Sequence, residues 1–251
     1  MTLGRAARLD VGHVIERTVS TTAAIARPLL LPALVLIGGA TFVSQFLAGY
    51  NPADPTAVFS SPAYWLAVLA TSIVGVLGQA IITAAALDHL CRRRADVRAS
   101  FATALDLLLP VFGFYLLGLL MIVAGLVLLV VPGVVVALAL TVGLPAMLEE
   151  RLGVVAAMSR SRDLTRDSRL RILALILIGA MIYAGASALL GAPVAIAGEQ
   201  SGIPRAALLV IDAVLATLGA LLTGAFTAAL YAELRLVKEG PSGAALTGVF
   251  E

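Results

Sequence analysis

The sequence has little charge: Asp, Glu, Lys and Arg make up 13% of its 251 residues, against about 25% in soluble domains. So few charged side chains cannot cover the water-facing surface of a chain this long, which excludes a soluble globular protein. The single cysteine, Cys91, excludes an intramolecular disulfide framework and a multi-cysteine metal site. The two histidines, His13 and His89, lack the spacing of paired zinc ligands. No metal and no other cofactor is predicted.

Residue patterns for catalysis and for nucleic-acid binding are also missing. The sequence contains no Gly-x-Ser-x-Gly motif, and its hydrophobic segments carry no histidine or lysine in their middle. An aspartyl mechanism would need two buried carboxylates, but only Asp212 lies within a hydrophobic segment. Aromatic residues are not interleaved with the basic ones, as they are where proteins bind single-stranded nucleic acid. We therefore expect a protein that is not an enzyme and does not bind nucleic acid.

Long hydrophobic segments are abundant: 61% of the residues are hydrophobic, and the mean hydropathy is +1.04. A helix crossing the hydrocarbon core needs about 20 apolar residues. The uncharged stretch from Leu107 to Leu148 is about twice that length, so it must fold back, and Val131-Pro132-Gly133 is the predicted break. The sequence thus predicts an all-α, polytopic integral membrane protein with six transmembrane helices. The predicted spans are 28–49, 63–87, 107–131, 133–148, 170–197 and 206–231.

The distribution of basic residues predicts the orientation of these spans. Residues 1–240 are expected to form a single membrane domain, and residues 241–251 a loose cytoplasmic tail. Six spans place every Arg and Lys except Arg205 on one side of the membrane. Because basic residues are enriched on the cytoplasmic side, both termini are predicted to be cytoplasmic. The first hydrophobic segment starts only at Pro28 and is too long for a cleavable signal peptide.

Amphipathic segments precede the first, third and fifth spans. In residues 11–27, apolar side chains such as Val14 and Ile25 fall on one helical face, and charged ones fall on the other. Similar stripes include Phe101 and Leu105 before the third span and Met158 before the fifth. Segments of this kind lie in the membrane interface. We therefore expect three helical hairpins, each preceded by a cytoplasmic elbow helix in the interface.

The ends of the three predicted hairpins resemble one another. Each has a threonine within the membrane, then a carboxylate at the cytoplasmic boundary, then arginine. The threonines are Thr83, Thr141 and Thr227, and the carboxylates are Asp88, Glu149 and Glu233. This pattern is consistent with three copies of one elbow-plus-hairpin unit, since internal repeats are common in membrane proteins. The alternative is that any hairpin leaving a membrane shows apolar, then acidic, then basic residues.

Two stretches, about 140–175 and 222–240, carry a resemblance to a known family. Their shared features are a proline before a carboxylate (Pro145 and Glu149), the segment Ser161-Arg-Asp-Leu-Thr165, and Tyr231-x-x-Leu-Arg235. In these features the chain resembles the membrane domain of some bacterial glycerophosphodiester phosphodiesterases and stand-alone six-helix relatives of unknown function. The phosphodiesterase barrel and its acidic metal ligands are absent, so the resemblance does not imply the enzyme's activity. It implies a stand-alone membrane domain of the bacterial inner membrane that works near phospholipids.

Polar residues within the spans are the first group of candidate functional residues. Asp212 lies inside the sixth span, where a carboxylate costs about 2.5–3.5 kcal/mol, so it should face the bundle, a cavity or a partner charge such as Arg205. With Gln45 and Gln79 on the first hairpin it would form a polar path. The alternative is a structural carboxylate near the outer interface, with Gln79 acting as an interhelical hydrogen-bonding residue.

Arginines before the fifth span are the second group of candidates. They are Arg160, Arg162, Arg166, Arg169 and Arg171. Guanidinium groups bind phosphate in a bidentate manner, so this surface could bind phospholipid headgroups, whereas the competing explanation is that the arginines only set the topology. We expect a non-enzymatic accessory or scaffold protein that binds phospholipids, another membrane protein or a second copy of itself. The alternative function is a small transporter or channel that uses Asp212, Gln45 and Gln79.

Overall fold

The structure is a computed structural model, and it describes residues 9–47, 62–92, 97–201 and 205–246. All regular elements in these ranges are helical. The α-helices are α1 (Val11–Ala33), α2 (Gly39–Leu47), α3 (Pro62–Arg92), α4 (Val97–Asp106), α5 (Leu108–Leu128), α6 (Val130–Leu140), α7 (Gly143–Glu150), α8 (Val154–Thr165), α9 (Arg169–Ser201) and α10 (Arg205–Leu246). A π-helical segment, Leu34–Gly38, joins α1 to α2.

Six helical stretches among the described residues are long and apolar enough to cross a membrane. They are Val11–Phe46, Tyr64–Cys91, Leu108–Leu128, Val130–Glu150, Arg169–Leu189 and Leu209–Gly240. The all-helical class is confirmed for the described residues, and the number of candidate spans equals the predicted six; we number them one to six in this order. The turn-rich stretch Asn51-Pro-Ala-Asp-Pro55, which follows the first predicted span, lies outside the described residues. So do the basic residues Arg5, Arg8, Arg93 and Arg94 and the side chains of Arg92 and Arg205.

The first span differs from its prediction, because no break separates an elbow helix from it. Asp10 caps the start of α1 by accepting hydrogen bonds from the backbone N–H groups of Gly12 and His13. Helix α1 then continues through Pro28 and Pro32. Proline has no N–H to complete the helical ladder, and the backbone widens into the π-helical segment directly after Pro32 instead of ending.

Two of the three expected elbow segments are separate short helices. In α4, Ser100 and Ala104 are buried, whereas Phe101 and Leu105 are exposed, so its apolar stripe does not face the protein. Helix α8, in contrast, buries the face that carries its predicted apolar residue Met158: Ala157, Met158, Ser161, Leu164 and Thr165 pack inward. In α1 the apolar face is divided, since Val14 and Ile25 are buried while Ile15 and Val19 are exposed.

The second hairpin turns earlier than predicted. Its single connecting residue is Leu129, which has an extended backbone between α5 and α6. Pro132 and Gly133 lie in the first turn of α6, where a proline costs no hydrogen bond because that N–H has no helical partner. A Cβ on Gly125 would lie 2.8 Å from the Cα of Gly133. The glycines therefore serve the close packing of the two helices and not the turn.

The core is concentrated towards one end of the bundle. Consecutive buried stretches occur in the second half of α3, in α7 and in the second half of α10, at residues 80–87, 142–148 and 228–231. Helices α1, α3 and α10 pack against one another there. Helix α10 kinks at Gly240, which has a φ of 72°, and residues 241–246 of the predicted loose tail are helical. Pro241 suits the first turn after such a kink.

Candidate functional site

Most ion pairs of the described residues gather where α1 begins and where α3, α7 and α10 end. We call this the charged end. Its largest network joins three helices through Arg160 of α8. The Nε atom of Arg160 donates to both carboxylate oxygens of Glu150, at 2.9 and 3.1 Å, and its Nη2 atom donates to Glu239. Burial alone would lower the pKa of Arg160, but the hydrogen bonds to Glu239 and Glu150 raise it above its usual value. Arg160 is thus a permanent cation with two acidic partners.

The same carboxylates also bind residues of α10. The hydroxyl of Tyr231 donates to Oε1 of Glu150 over 2.7 Å, and Nε of Arg235 donates to Oε2 of Glu239 over 3.0 Å. Tyr231 is 1% exposed and is among the largest fully buried side chains. Because a buried hydroxyl without a partner costs about 1–3 kcal/mol, this bond fixes how α10 sits against α7.

A second contact joins the end of α10 to the start of α1. Nδ1 of His13 lies 3.1 Å from Oε2 of Glu233, and Nη1 of Arg17 lies 3.6 Å from the same oxygen. Glu233 itself is buried, with 8% of its surface exposed. A buried carboxylate needs such partners, since desolvation without them is costly.

A third contact joins the end of α3 to α4. The hydroxyl of Ser100, which is fully buried in α4, donates to Oδ2 of Asp88 over 3.1 Å.

Together these contacts form a pattern that we call the exit contacts: Asp88 with Ser100, Glu150 with Arg160, and Glu233 with His13 and Arg17. In each, a carboxylate at the end of a span binds a helix that leads into another span.

Taken in chain order, the three exit contacts connect the pairs of spans into a closed ring. The first two link a span to the next helix, over sequence separations of 12 and 10 residues. The third links the last span back to the first helix over 220 residues. The carboxylate that binds Arg160 is Glu150, the neighbour of the predicted exit carboxylate Glu149. The partners Ser100, Arg160 and His13 were not predicted as partners, although each lies on one of the amphipathic segments that the sequence identified.

The five arginines of the predicted surface divide into three sets. Arg160 is held by Glu150 and Glu239, and Arg171 donates to the backbone carbonyl of Leu9 over 2.9 Å. Arg169 is half-buried, and its Nε atom has no hydrogen-bond partner among the described residues. Arg162 and Arg166 are exposed on one face of α8 and its C-terminal turn, and no ion pair between described residues involves them. Of the five arginines, only Arg162 and Arg166 are exposed.

Two of the three polar intramembrane candidates come together. Nε2 of Gln45 donates to the carboxylate of Asp212, linking α2 to α10. Gln79 lies elsewhere: it faces α10 near Gly224, twelve positions further along that helix. Between these levels the helices are in close contact, since a Cβ on Gly38 would lie 2.9 Å from Oγ1 of Thr217. Asp212 and Gln45 therefore form a pair that does not include Gln79.

An apolar groove of about 350 Å³ lies between the outer parts of spans one and two. It is lined by residues of the π-helical segment, α2 and α3, including Gly39, Ala40 and Ala67. The hydroxyls of Ser44 and Thr71 also line it, but they donate to carbonyls of their own helices. The groove presents hydrocarbon surface, which fits an apolar chain and not a polar solute.

The described residues hold no group of three or more His, Cys, Asp or Glu side chains placed to bind a metal ion. No family model matches this chain, and neither a curated protein nor a solved structure is similar to it.

Proposed function

We propose that the chain is a non-enzymatic protein of the bacterial inner membrane that binds anionic phospholipids through Arg162 and Arg166, as an accessory or scaffold protein. One observation carries this proposal: these two guanidinium groups are exposed together, while Arg160 and Arg171 of the same segment are used inside the protein. Arginines needed only to set the topology have no reason to divide in this way.

The geometry of α8 supports a headgroup site. Arg162 and Arg166 are four residues apart, so their side chains project from the same side of the helix. The opposite side of α8 is fixed to the bundle, because the hydroxyl of the buried Ser161 donates to the carbonyl of Ala139 over 2.6 Å. A rigid pair of guanidinium forks is suited to the oxygens of a phosphate group.

The exposed apolar residues of α4 are consistent with the same placement. Phe101 and Leu105 are exposed at the charged end, as expected for an elbow helix whose apolar face lies in the inner leaflet. In this proposal both termini are cytoplasmic, and three elbow-plus-hairpin units are joined by the exit contacts. The resemblance to a membrane domain that works near phospholipids supports the same function.

Lipid binding to purified protein tests the proposal. Protein in detergent micelles is titrated with phosphatidylglycerol or phosphatidylcholine, and bound lipids are counted by native mass spectrometry. Since a basic residue near anionic lipid contributes about 1 kcal/mol, Arg162→Ala with Arg166→Ala should lower the preference for phosphatidylglycerol roughly tenfold or more. Arg162→Lys with Arg166→Lys keeps the charge and should retain part of the preference.

A matched control distinguishes lipid binding at Arg162 and Arg166 from a general electrostatic attraction of arginines to anionic lipid. Arg27 is also exposed, but it lies on α1. Arg27→Ala should leave the lipid preference unchanged, whereas Arg162→Ala alone should lower it. Equal effects of the two single variants, or an unchanged preference in the double alanine variant, would contradict the proposed site.

The hydrogen bond between Gln45 and Asp212 favours a second candidate function, a small transporter or channel. A carboxylate linked to an amide within a span is typical of ion pathways. In proteoliposomes, a flux of protons or monovalent cations that Asp212→Asn abolishes, and that Gln79→Leu also lowers, would support it. A flux lowered by Asp212→Asn alone would assign the path to the Gln45–Asp212 pair, and absence of any flux would exclude this candidate.

A further inference from the structure

The connection of the second hairpin is entirely aliphatic. Val127–Val131, which we call the hairpin tip, are consecutive Val and Leu residues that are each between 68% and 82% exposed. No side chain from Leu116 to Leu140 carries a nitrogen or oxygen atom. Exposed apolar residues in an unbroken run are unfavourable in water, so the surroundings of the hairpin tip must be apolar.

The other two hairpins have different connections. The sequence between spans one and two contains Asn51 and Asp54, and the sequence between spans five and six contains Glu199, Gln200 and Arg205. Near the outer end of span two, Tyr64 and Trp65 form an edge-to-face pair, as is typical of residues at a membrane–water interface. These connections are suited to water, whereas the hairpin tip is not.

The helix lengths place the hairpin tip deeper in the membrane than the connections of the other two hairpins. Helix α4 is tied to the charged end by the bond between Ser100 and Asp88, and α5 starts directly after α4. Helix α5 has 21 residues, while α3 has 31 and α9 has 33. At about 1.5 Å per residue, α5 is ~31 Å long, close to the ~30 Å of a hydrocarbon core, and α3 is ~15 Å longer. Any tilt of α5 brings its end inside the core.

The backbone of the turn limits how deep that end can lie, because unpaired N–H groups are costly in hydrocarbon. The turn has few of them. The N–H of Leu129 donates to the carbonyl of Gly125 over 3.0 Å, that of Gly133 donates to Leu129 over 3.5 Å, and Pro132 has no N–H. This leaves at most the donors of Val130 and Val131 in the first turn of α6. The remaining polar groups favour a shallow position within reach of the headgroups.

We propose that the hairpin tip ends within the hydrocarbon of the leaflet opposite the charged end, just below its headgroups, with lipid acyl chains as its partner. The exposed faces of α5 and α9 continue the same apolar surface, since Leu119, Leu120 and Met181 are exposed as well. The second hairpin thus ends inside the membrane, whereas the connections of the first and third hairpins reach water. The inference does not depend on lipid binding by Arg162 and Arg166.

Cysteine accessibility in proteoliposomes tests this proposal. In a Cys91→Ser background, Val130→Cys is compared with two controls in the polar connections, Ala53→Cys and Gln200→Cys. A membrane-impermeant maleimide is added on both sides of the bilayer, so the result does not depend on orientation. Val130→Cys should react at least tenfold more slowly than either control, and should react at their rate once detergent dissolves the bilayer.

A second measurement identifies what covers the hairpin tip. A nitrobenzoxadiazole dye attached to Val130→Cys in detergent is reconstituted with lipids that carry a nitroxide near the headgroup or near the end of the acyl chain. We expect strong quenching, and stronger quenching by the nitroxide near the headgroup. Fast reaction of Val130→Cys with the impermeant maleimide would place the tip in water. Slow reaction without quenching, or a Val130→Cys disulfide between two chains, would assign the surface to a second copy. Either outcome would overturn the proposal.

Discussion

The charged end and the opposite end of the molecule are built differently. At the charged end, buried and half-buried side chains are joined by hydrogen bonds and ion pairs, as in the contacts of Glu150 with Arg160 and Tyr231. At the opposite end, the hairpin tip and much of span five are exposed. Whole spans also differ in burial: in their most apolar stretches, 50% of the residues of span four are buried, but only 11% of those of span five.

This difference indicates which forces hold each end together. Between helices in lipid, apolar side chains gain little by leaving the acyl chains, so association depends on close packing and hydrogen bonds. The charged end has both. The opposite end has close packing at a few positions, such as Gly125 against Gly133, and its remaining apolar surface is exposed. The free energy of unfolding of each variant is measured in mixed micelles by titration with sodium dodecyl sulfate.

Truncating a leucine at each end gives the largest expected difference. Leu164 is 1% exposed, and Leu128 is 77% exposed. Leu164→Ala should lower the free energy of unfolding by about 2–5 kcal/mol, because it leaves a cavity in the core. Leu128→Ala should change it by less than about 0.5 kcal/mol. Similar losses for both variants would mean that the two ends are equally packed.

The next variant tests whether the opposite end is loose throughout. A Cβ on Gly133 would lie 2.6 Å from the side chain of Leu126 and 2.8 Å from its backbone nitrogen. Gly133→Leu should therefore destabilise the protein by about 1–3 kcal/mol through overpacking. Gly185→Leu is the matched control, because nothing lies within 4 Å of its Cβ position. A neutral Gly133→Leu variant would show that the second hairpin can separate without loss of stability.

Neutralising Glu150 tests the polar network at the charged end. Glu150→Gln keeps the size of the side chain but weakens its bonds to Arg160 and Tyr231. Because Glu150 and Arg160 are partly exposed, we expect a loss of about 1 kcal/mol. Glu16 is an exposed carboxylate on α1, and Glu16→Gln should leave stability unchanged. If Glu150→Gln were as neutral as this control, the network would not contribute to the packing of α7 against α10.

Substitutions in two of the exit contacts should give the smallest difference in the free energy of unfolding. Glu233→Gln removes a charge beside Arg17, whereas Asp88→Asn keeps an oxygen that can accept the bond from Ser100. We expect the first variant to lose about 0.5–1 kcal/mol and the second to lose less. The reverse order would indicate that the contact of α3 with α4, and not the closure of the ring, holds the charged end together.

The number of spans could be predicted from the sequence because hydrocarbon thickness sets the length of each apolar segment. The position of the turn in the second hairpin could not. Proline and glycine are common in turns, yet Pro132 is equally favourable in the first turn of a helix, and the helices meet closely only if both Gly125 and Gly133 lack side chains. Likewise, Pro28 and Pro32 indicate a break after the first elbow, but a local π-helix accommodates them.

The candidate site was predictable in its residues but not in its contacts. The sequence identified Asp88 and Glu233 as exit carboxylates because the residues around them repeat. Their partners are set by the tertiary fold, and no local pattern indicates that Glu233 meets His13. A single position on the helix separates Glu149 from Glu150 and decides which of them faces Arg160. Gln45 and Asp212 pair because both are polar groups of spans that lie side by side in the structure. Gln79 lies nearer the charged end and is not part of this pair.

The contact of Glu233 with His13 and Arg17 has a consequence for how the chain is made. The ribosome synthesises His13 and Arg17 first and Glu233 only after more than two hundred further residues. His13 and Arg17 therefore cannot meet this carboxylate until almost the whole chain has been made. Completion of the sixth span then brings the beginning of the polypeptide and its last crossing together, so the final assembly step is also the longest-range one.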